Sequence, residues 1–495
     1  MKYIYEESRT FNEFLLTPGL TASFCTIDKI DLKTHLTKYR PDHPTLKGME
    51  LNIPVTSAIM QSVSDDRMAT TLAKEGGLSF IYCSQSIEDQ CEMVRRAKKA
   101  KAGFVASDSN IKATDTLETI IRLKDSNGHS TMAVTHNGKS TGKLLGLVTS
   151  RDYRIGKTPS NTKVSEFMTP IDKLVYAKDG TTLTEANDLI WEHKLNCLPI
   201  VSKKGNLKSL VFRKDYEQHA NNRNELLDEK KAYLIGAGVN TKDYKERIPA
   251  LIKAGVDILC IDSSDGYSDF VKNVLTFVKS NYLNVPIGAG NIVNAEAFLY
   301  LAKAGADFIK VGIGGGSICI TREQKGIGAG QATAVMEIAK ARDEYLEKTG
   351  VYVPICSDGG IVTDTDVTMA LAMGADFVMM GRYFAGCDES PGKKVTVNGN
   401  VMKEYWGEGS NHARNWQRYD SGGQNSLKFE EGVDSFVPYT GSVKEKIEVL
   451  TAKIKSTMSS CGCSDIPTFH KKVIIRPVSG LTLREGSAHD VTLKE

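Results

Sequence analysis

The chain has 495 residues, 41% hydrophobic and 25% charged, an ordinary globular composition with room for about three average domains or one barrel plus something smaller. A net charge of +3 gives no global attraction for an anionic membrane, and no dedicated nucleic-acid partner is expected. There is no run of 18 apolar residues to span a bilayer, and the opening MKYIYEESRTFNEF lacks the sustained apolar core of a secretory signal.

In chain order, the first predicted strands are PVTSAIM at 54–60 and GLSFIY at 77–82. From about residue 103 to residue 220 such glycine-flanked apolar strands stop, and two related units replace them. The first runs to LLGLVTSRDYRI, ending at Arg151, Asp152 and Tyr153. The second opens at KVSEFMTP and runs to LKSLVFRKDY, ending at Arg213, Asp215 and Tyr216. The apolar strands then resume as YLIGAG, DILCID, VPIGAGN, FIKVGIG, VPICSDGG and FVMMGRYF. Three of them follow AGVD at 254–257, AGAD at 304–307 and MGAD at 373–376, where a helix is predicted to end on a left-handed glycine. The strands show little polar alternation, which signals a parallel sheet buried on both faces. About eight such runs suffice to close a (β/α)8 TIM barrel, the predicted fold class, with its catalytic face at the strand ends.

From about residue 386 to residue 437 the chain turns polar and glycine-rich. KVTVNGNVMKEYWGEG carries an Asn398-Gly399 pair between alternating residues, a hairpin signal. SNHARNWQRYDSGG is too polar for a core, and a loop of this length is usually a lid or binding element. His412 within it reads as a solvated loop histidine.

Ten cysteines in a chain of this length are not a disulfide framework, and a reducing, cytoplasmic home is the default. Cys260 and Cys356 sit in apolar runs and read as buried thiols; Cys461 and Cys463 are too close for usual zinc spacing and lack partner pairs. Cys319 is different. Residues 309–321 read IKVGIGGGSICIT, an apolar strand running into Gly312, Gly314, Gly315 and Gly316. Their N–H groups, with Ser317, form a potential anion-binding hollow, and Cys319 stands just beyond it as a soft nucleophile. Thr321 is placed to hydrogen-bond the thiol or a substrate edge.

GIGGGSICIT, SDGGI at 357–361, and the pair YWGEGS and NWQRYD occur in an order that resembles inosine 5′-monophosphate dehydrogenase, of microbial or protozoal type. The two units at 104–220 resemble a tandem CBS (Bateman) domain, so the likeness spans nearly the whole chain. It implies a barrel in two parts, 1–103 and 221–495, with a mobile flap at about 386–437. It also implies NAD-dependent oxidation of inosine 5′-monophosphate (IMP) to xanthosine 5′-monophosphate, the committed step of guanine nucleotide biosynthesis. Cys319 would attack carbon 2 of the purine, hydride would leave to the nicotinamide, and water would hydrolyse the thioimidate.

The resemblance assigns Ser317, Gly360, Gly381 and Tyr405 to the phosphate and nearby substrate contacts. Arg382, where many relatives have serine, either adds a bond to the phosphate or points to solvent. Asp358 would hold the ribose hydroxyls; the alternative is an aspartate capping a turn. Glu408, Gly409 and Glu431 would lie beside the hypoxanthine edge. For NAD there is no GxGxxG motif, so no Rossmann domain is expected. The likeness instead places nicotinamide ribose on Asp262, with Ser263, Ser264, Asn291 and Gly312 nearby, and adenine at Lys242 and Phe270, unless Phe270 is helix core. The flap residues Arg418 and Tyr419 would serve the water step, with Thr321 sharing the proton; the alternative is a charged loop tip.

K+ is implied at the carbonyls of Gly314, Gly316 and Cys319. A neighbouring subunit of a homotetramer would complete that site with Glu485, Gly486 and Ser487. CBS pairs commonly bind adenine or guanine nucleotides; a structural insert without ligand is the alternative. Ala329 stands where many relatives carry arginine. Two rivals remain: guanosine monophosphate reductase, which shares the barrel and the cysteine loop, and a nucleotide-sensing CBS scaffold with a silent barrel.

Overall fold

Three aspartates at one end of a closed barrel explain much of its construction. The computed structural model describes residues 4–43, 46–100, 104, 107, 109–127, 130–213, 224–228, 232–410, 412–413, 430–486, 488–489 and 491. Eight parallel strands close on themselves: β1 (Val55–Ser57), β2 (Leu78–Ile81), β3 (Gly236–Val239), β4 (Ile258–Ile261), β5 (Ile287–Ile292), β6 (Phe308–Val311), β7 (Ile355–Asp358) and β8 (Phe377–Met380), with β8 pairing back onto β1. Each falls on one of the eight apolar runs read from the sequence, β3 and β5 extending one residue past theirs, and the fold is a TIM barrel.

The GxD punctuation has a mechanism. Gly255, Gly305 and Gly374 take φ of +99°, +99° and +106°, ending their helices in the left-handed region. The aspartate two residues later then grips the start of the preceding strand. Asp257, Asp307 and Asp376 each accept the backbone N–H of Ile235, Ile287 and Ile355 at 2.8, 2.7 and 2.8 Å. Each carboxylate has a cationic partner: Lys98 at 2.9 Å, Lys279 at 2.5 Å and Arg342 at 3.0 Å. Burial pushes the Asp257 carboxyl above its ordinary value despite Lys98.

Asp376 is the most deeply held, since Tyr352 also donates to it at 2.7 Å and Arg342 is only 2% exposed. Asp376→Ala therefore strands a buried guanidinium and a strand N–H, and should cost about 3–5 kcal/mol. Chemical denaturation of the variant checks this.

Inside the barrel, small and large residues alternate. A Cβ on Gly288 would lie 2.0 Å from the Phe308 ring, so glycine on β5 makes the space that phenylalanine on β6 fills. Phe308 lies tilted at 5.8 Å from Phe80 and edge-on at 5.5 Å to Phe377, plugging the interior below the strand ends. Asp65 caps helix Asp66–Lys74 by accepting from the N–H of Arg67 and Met68, and the helix buries Met68, Ala69, Leu72 and Ala73. No helix among the described residues is long and apolar enough to cross a membrane.

After β8 comes an antiparallel sheet of β9 (Lys394–Val397), β10 (Asn400–Trp406) and β11 (Asp434–Pro438). Asn398 and Gly399 form the two-residue turn at φ +50° and +80°, the left-handed pair that matches hairpin twist.

The chain divides into two compact units, one of Met1–Lys98, Asn224–Asp228 and Tyr233–Glu495, the other of Lys99–Arg223 and Glu229–Ala232. The second unit holds the same arrangement twice. Helix Leu117–Asn127 leads into strands Thr131–Thr135 and Leu144–Thr149; helix Leu183–Glu192 leads into Cys197–Val201 and Leu207–Phe212. In each copy a two-residue strand pairs in parallel with the first long strand, and the hairpin register shifts at its end, at Val134/Thr135 and at Ile200/Val201. Asp152 accepts from Thr149 N at 2.6 Å, which turns the chain after the first hairpin. The Asp215 of the second copy lies outside the described residues.

Candidate active site

A cavity opens at the C-terminal ends of the barrel strands, and one segment ties its walls together. After β6 the chain turns at Gly312, whose φ of +136° and contact of a would-be Cβ at 2.1 Å from Asp358 O exclude a side chain. Gly360 N donates to Gly315 O at 2.8 Å, joining this loop to the one after β7. Ile320 N donates to Glu431 O at 3.1 Å and Val433 N to Ile318 O at 3.1 Å, while Gly407 N donates to Val433 O at 3.2 Å. Residues 431–433 thus stitch the cysteine loop to the end of β10.

Cys319 stands at this junction. It is the partly exposed one of ten free cysteines; the other nine are buried. Burial pushes the Cys260 thiol up to about 12 and the Cys356 thiol well above its ordinary range, so both stay protonated. Cys319 Sγ lies 3.2 Å from Thr321 Oγ1, which donates to Glu431 Oε2 at 3.1 Å. Glu431 Oε1 is 2.6 Å from Lys325 Nζ.

Asp358 ends β7 facing the cavity. Its Oδ2 accepts from Asn291 Nδ2 at 2.9 Å and pairs with Lys310 Nζ at 3.3 Å. Among the described residues no backbone N–H binds it, so it does not cap a turn, and the side chain lines the cavity. Across from it Tyr405 is 2% exposed, and a Cβ on Gly381 would lie 3.0 Å from its hydroxyl. Burial pushes the Tyr405 phenol up, so it is a protonated donor, with nearby Arg382 opposing the shift. Glu408 Oε1 accepts from Gln61 N at 2.5 Å.

Of the residues singled out in the sequence, Ser317, Cys319, Thr321, Asp358, Gly360, Gly381, Arg382, Tyr405, Glu408, Gly409 and Glu431 all line this one cavity. So do Asp262, Ser263, Ser264, Asn291, Gly312, Gly314 and Gly316. Asp262 is buried and accepts from Cys83 Sγ at 3.9 Å; Asn291 also donates to Gly312 O at 2.8 Å. Lys242, Phe270, Glu485 and Gly486 do not line it. Phe270 is 72% exposed on helix Asp269–Asn281, which overturns the helix-core alternative. Arg418, Tyr419 and Ser487 lie outside the described residues. His412 is not simply solvated: its ring stacks on Trp406 at 4.2 Å.

Sequence reasoning missed three polar side chains. Lys310 reads as an interruption of an apolar strand, yet it points inward and is 2% exposed. Gln331 donates to Val311 O at 2.7 Å and Ser357 Oγ at 3.1 Å from behind the glycine loop. Lys325 reads as an ordinary charged helix end. Inward lysine on an otherwise apolar strand was the one available signal. Ala329 contributes its carbonyl, which accepts from Arg322 Nη2.

Comparison with known proteins agrees with this architecture. A family model described as IMP dehydrogenase / GMP reductase domain matches residues 8–489. Inosine-5′-monophosphate dehydrogenase of Tritrichomonas foetus is 55% identical over 495 residues, covering 100% of this chain and 98% of the relative. The Escherichia coli K12 protein of that name is 35% identical over 498 residues, covering 100% and 98%. Among solved structures, a cysteine-to-alanine variant of GMP reductase from Trypanosoma brucei in complex with guanosine 5′-monophosphate superposes with a TM-score of 0.81 at 31% identity, covering 98% of each chain. With a family model spanning nearly its whole length and full-length relatives at this identity, the chain belongs to the IMP dehydrogenase / GMP reductase family.

Proposed function

We propose that this enzyme oxidises IMP to xanthosine 5′-monophosphate with NAD through a covalent bond between Cys319 and purine carbon 2. The observation that carries the reading is the solitary, partly exposed thiol 3.2 Å from Thr321 at the mouth of a glycine-walled cavity. As sulfur adds to carbon 2 its proton passes to the adjacent ring nitrogen, the now tetrahedral carbon loses its hydrogen with the electron pair, and the ring proton leaves to solvent. NAD supplies the hydride acceptor. Water oxygen then bonds carbon 2 of the thioimidate, a proton passes to the flap base, and the carbon–sulfur bond breaks to free the thiol. Dividing one difficult substitution into two steps is the gain from covalent catalysis.

The binding roles follow from shape and charge. Glycine amides and the Ser317 hydroxyl suit a phosphate dianion, with Tyr405 and Arg382 beside it. Asp358 offers its carboxylate to ribose hydroxyls, with Lys310 balancing its charge through Oδ2. Glu408, Gly409 and Glu431 border the base. Asp262, Ser263, Ser264 and Asn291 form an arm of the cavity polar enough for the nicotinamide ribose, which supports NAD on that side. Lys242 and Phe270, outside the cavity, are assigned to the distant adenine.

For K+, Gly316 O already accepts from Cys319 N at 3.0 Å, and a carbonyl keeps a second lone pair for a cation. Three carbonyls are too few for a closed shell, which fits completion by Glu485, Gly486 and Ser487 of another subunit in a homotetramer. The twofold β-α-β-β arrangement of the second unit supports reading it as a CBS pair for adenine or guanine nucleotides. Ten free thiols suit a reducing cytoplasm.

The test is direct. Protein mixed with IMP, NAD and K+ should raise absorbance at the reduced-cofactor band. Oxidation of NADPH with guanosine monophosphate, in place of that, would move the assignment to the reductase branch of the same family.

A further inference from the structure

Thr321 has one proton and two neighbours that want it. Its Oγ1 lies 3.2 Å from Cys319 Sγ and 3.1 Å from Glu431 Oε2. A hydroxyl that gives its proton to the carboxylate keeps a lone pair directed at the sulfur and at whatever atom the sulfur holds. Which way the hydroxyl points depends on where the carboxylate is held. Glu431 is not held from its own segment alone: its side chain is 10% exposed, and its second oxygen sits 2.6 Å from Lys325 Nζ. Thr321 and Lys325 are the first and last residues of helix Thr321–Lys325, four apart and so on one helix face. One helix turn therefore grips both oxygens of the same carboxylate, one by hydroxyl and one by ammonium.

We propose that Lys325 is a positioning residue for the hydrolytic half-reaction, holding Glu431 so that the Thr321 proton is committed to Oε2 and the Thr321 lone pair faces the reacting carbon. The inference rests on the proposed dehydrogenase chemistry. During hydrolysis that lone pair accepts a hydrogen bond from the attacking water and aims its oxygen at carbon 2. The water's other proton goes to the flap base, and the carbon–sulfur bond breaks as already described. Without the ammonium, a carboxylate in this half-enclosed place loses its counter-charge and is free to turn off Thr321. Hydride transfer makes no use of that lone pair, because the thiol has by then given up its proton.

Lys325→Met should lower steady-state NADH formation by about tenfold while the pre-steady-state burst of NADH keeps its rate within about twofold, the mark of slowed hydrolysis after normal hydride transfer. The intact burst also reports folded sites. Lys325→Arg, which can keep the pair, should restore turnover to within about threefold. In a Glu431→Gln background, Lys325→Met should add no further loss in hydrolysis, because the proposed effect of the lysine on that step runs through that carboxylate. Unchanged turnover, a burst slowed in step with turnover, or additive losses in the double variant would each overturn the proposal. So would a raised KM for NAD with normal hydrolysis, since Lys325 also borders a groove with Tyr267 and Ile327 that adjoins the cavity at Thr321. If the unsubstituted enzyme forms no NADH from IMP at all, the dehydrogenase reading fails instead, and the two failures are told apart by that control.

Discussion

Cys319→Ala abolishes NADH formation from IMP and NAD, a loss of at least about 10⁴-fold in kcat, while IMP still binds. The size follows from the chemistry. Hydride does not leave an aromatic carbon 2, so without a nucleophile to make that carbon tetrahedral there is no slower version of the same route. No other thiol can step in, since the remaining nine are buried, and those of Cys260 and Cys356 are held protonated by their apolar surroundings. Binding survives because the Cys319 side chain's contact with Thr321 Oγ1 at 3.2 Å is not what holds the loop in place. The loop is held by backbone bonds from Cys319 N to Gly316 O at 3.0 Å and from Ile320 N to Glu431 O at 3.1 Å, which alanine keeps. Calorimetric titration with IMP checks binding, and absorbance checks turnover. Turnover in the alanine variant would rule out the covalent route. Alkylation gives a second reading: iodoacetamide should label Cys319 first, and IMP should protect it.

The barrel was legible because its signals are local. A strand buried on both faces is continuously apolar over four residues, and each GxD marks a helix stop and a strand hook within four more. The same locality exposed the hairpin at Asn398-Gly399 and the cysteine loop with its glycines. What stayed hidden depends on partners far away in sequence. Asp358 and Lys310 are 48 residues apart, and Thr321 and Glu431 are 110 apart, so neither pair leaves a periodic trace. Lys403 shows the same limit. In KVTVNGNVMKEYW nothing local singles it out, yet it is 2% exposed and gives its ammonium protons to Cys387 O and Ser390 O at 2.6 and 2.7 Å. That clamp fixes the strand that carries Tyr405 two residues on. Burial pushes the Lys403 ammonium below its ordinary range, a cost that only the folded context reveals. Lys242 and Phe270 came from resemblance alone, and nothing in the cavity's lining adds to them.

Arg418→Ala separates the two half-reactions. NADH should appear in a burst close to one equivalent per site, followed by turnover at least about 100-fold slower than normal, the usual worth of a positioned general base. Arg418 lies outside the described residues, but described residues on both sides of it, Gly409 and Glu431, line the cavity with Cys319. Ser410 N donates to Gly407 O at 3.1 Å at the outgoing end, and Glu431 N to Gly409 O at 3.3 Å at the returning end. The described residues on either side of Arg418, Ser410 and Glu431, are thus both tied to the 407–409 turn of the cavity wall. A free guanidinium, with a pKa above about 12, is a poor base at neutral pH. It can serve only where the proton is shared with neighbours, and Thr321, already tied to Glu431, is the hydroxyl placed to orient the water. In the proposed route hydride transfer requires none of this: the thiol proton passes to a ring nitrogen as sulfur adds, the hydride goes to NAD, and the ring proton then leaves to solvent. Rapid mixing with IMP and NAD measures both phases in one trace. If burst and steady state fall by the same factor, Arg418 acts on binding or on the thiol, and the base role is lost.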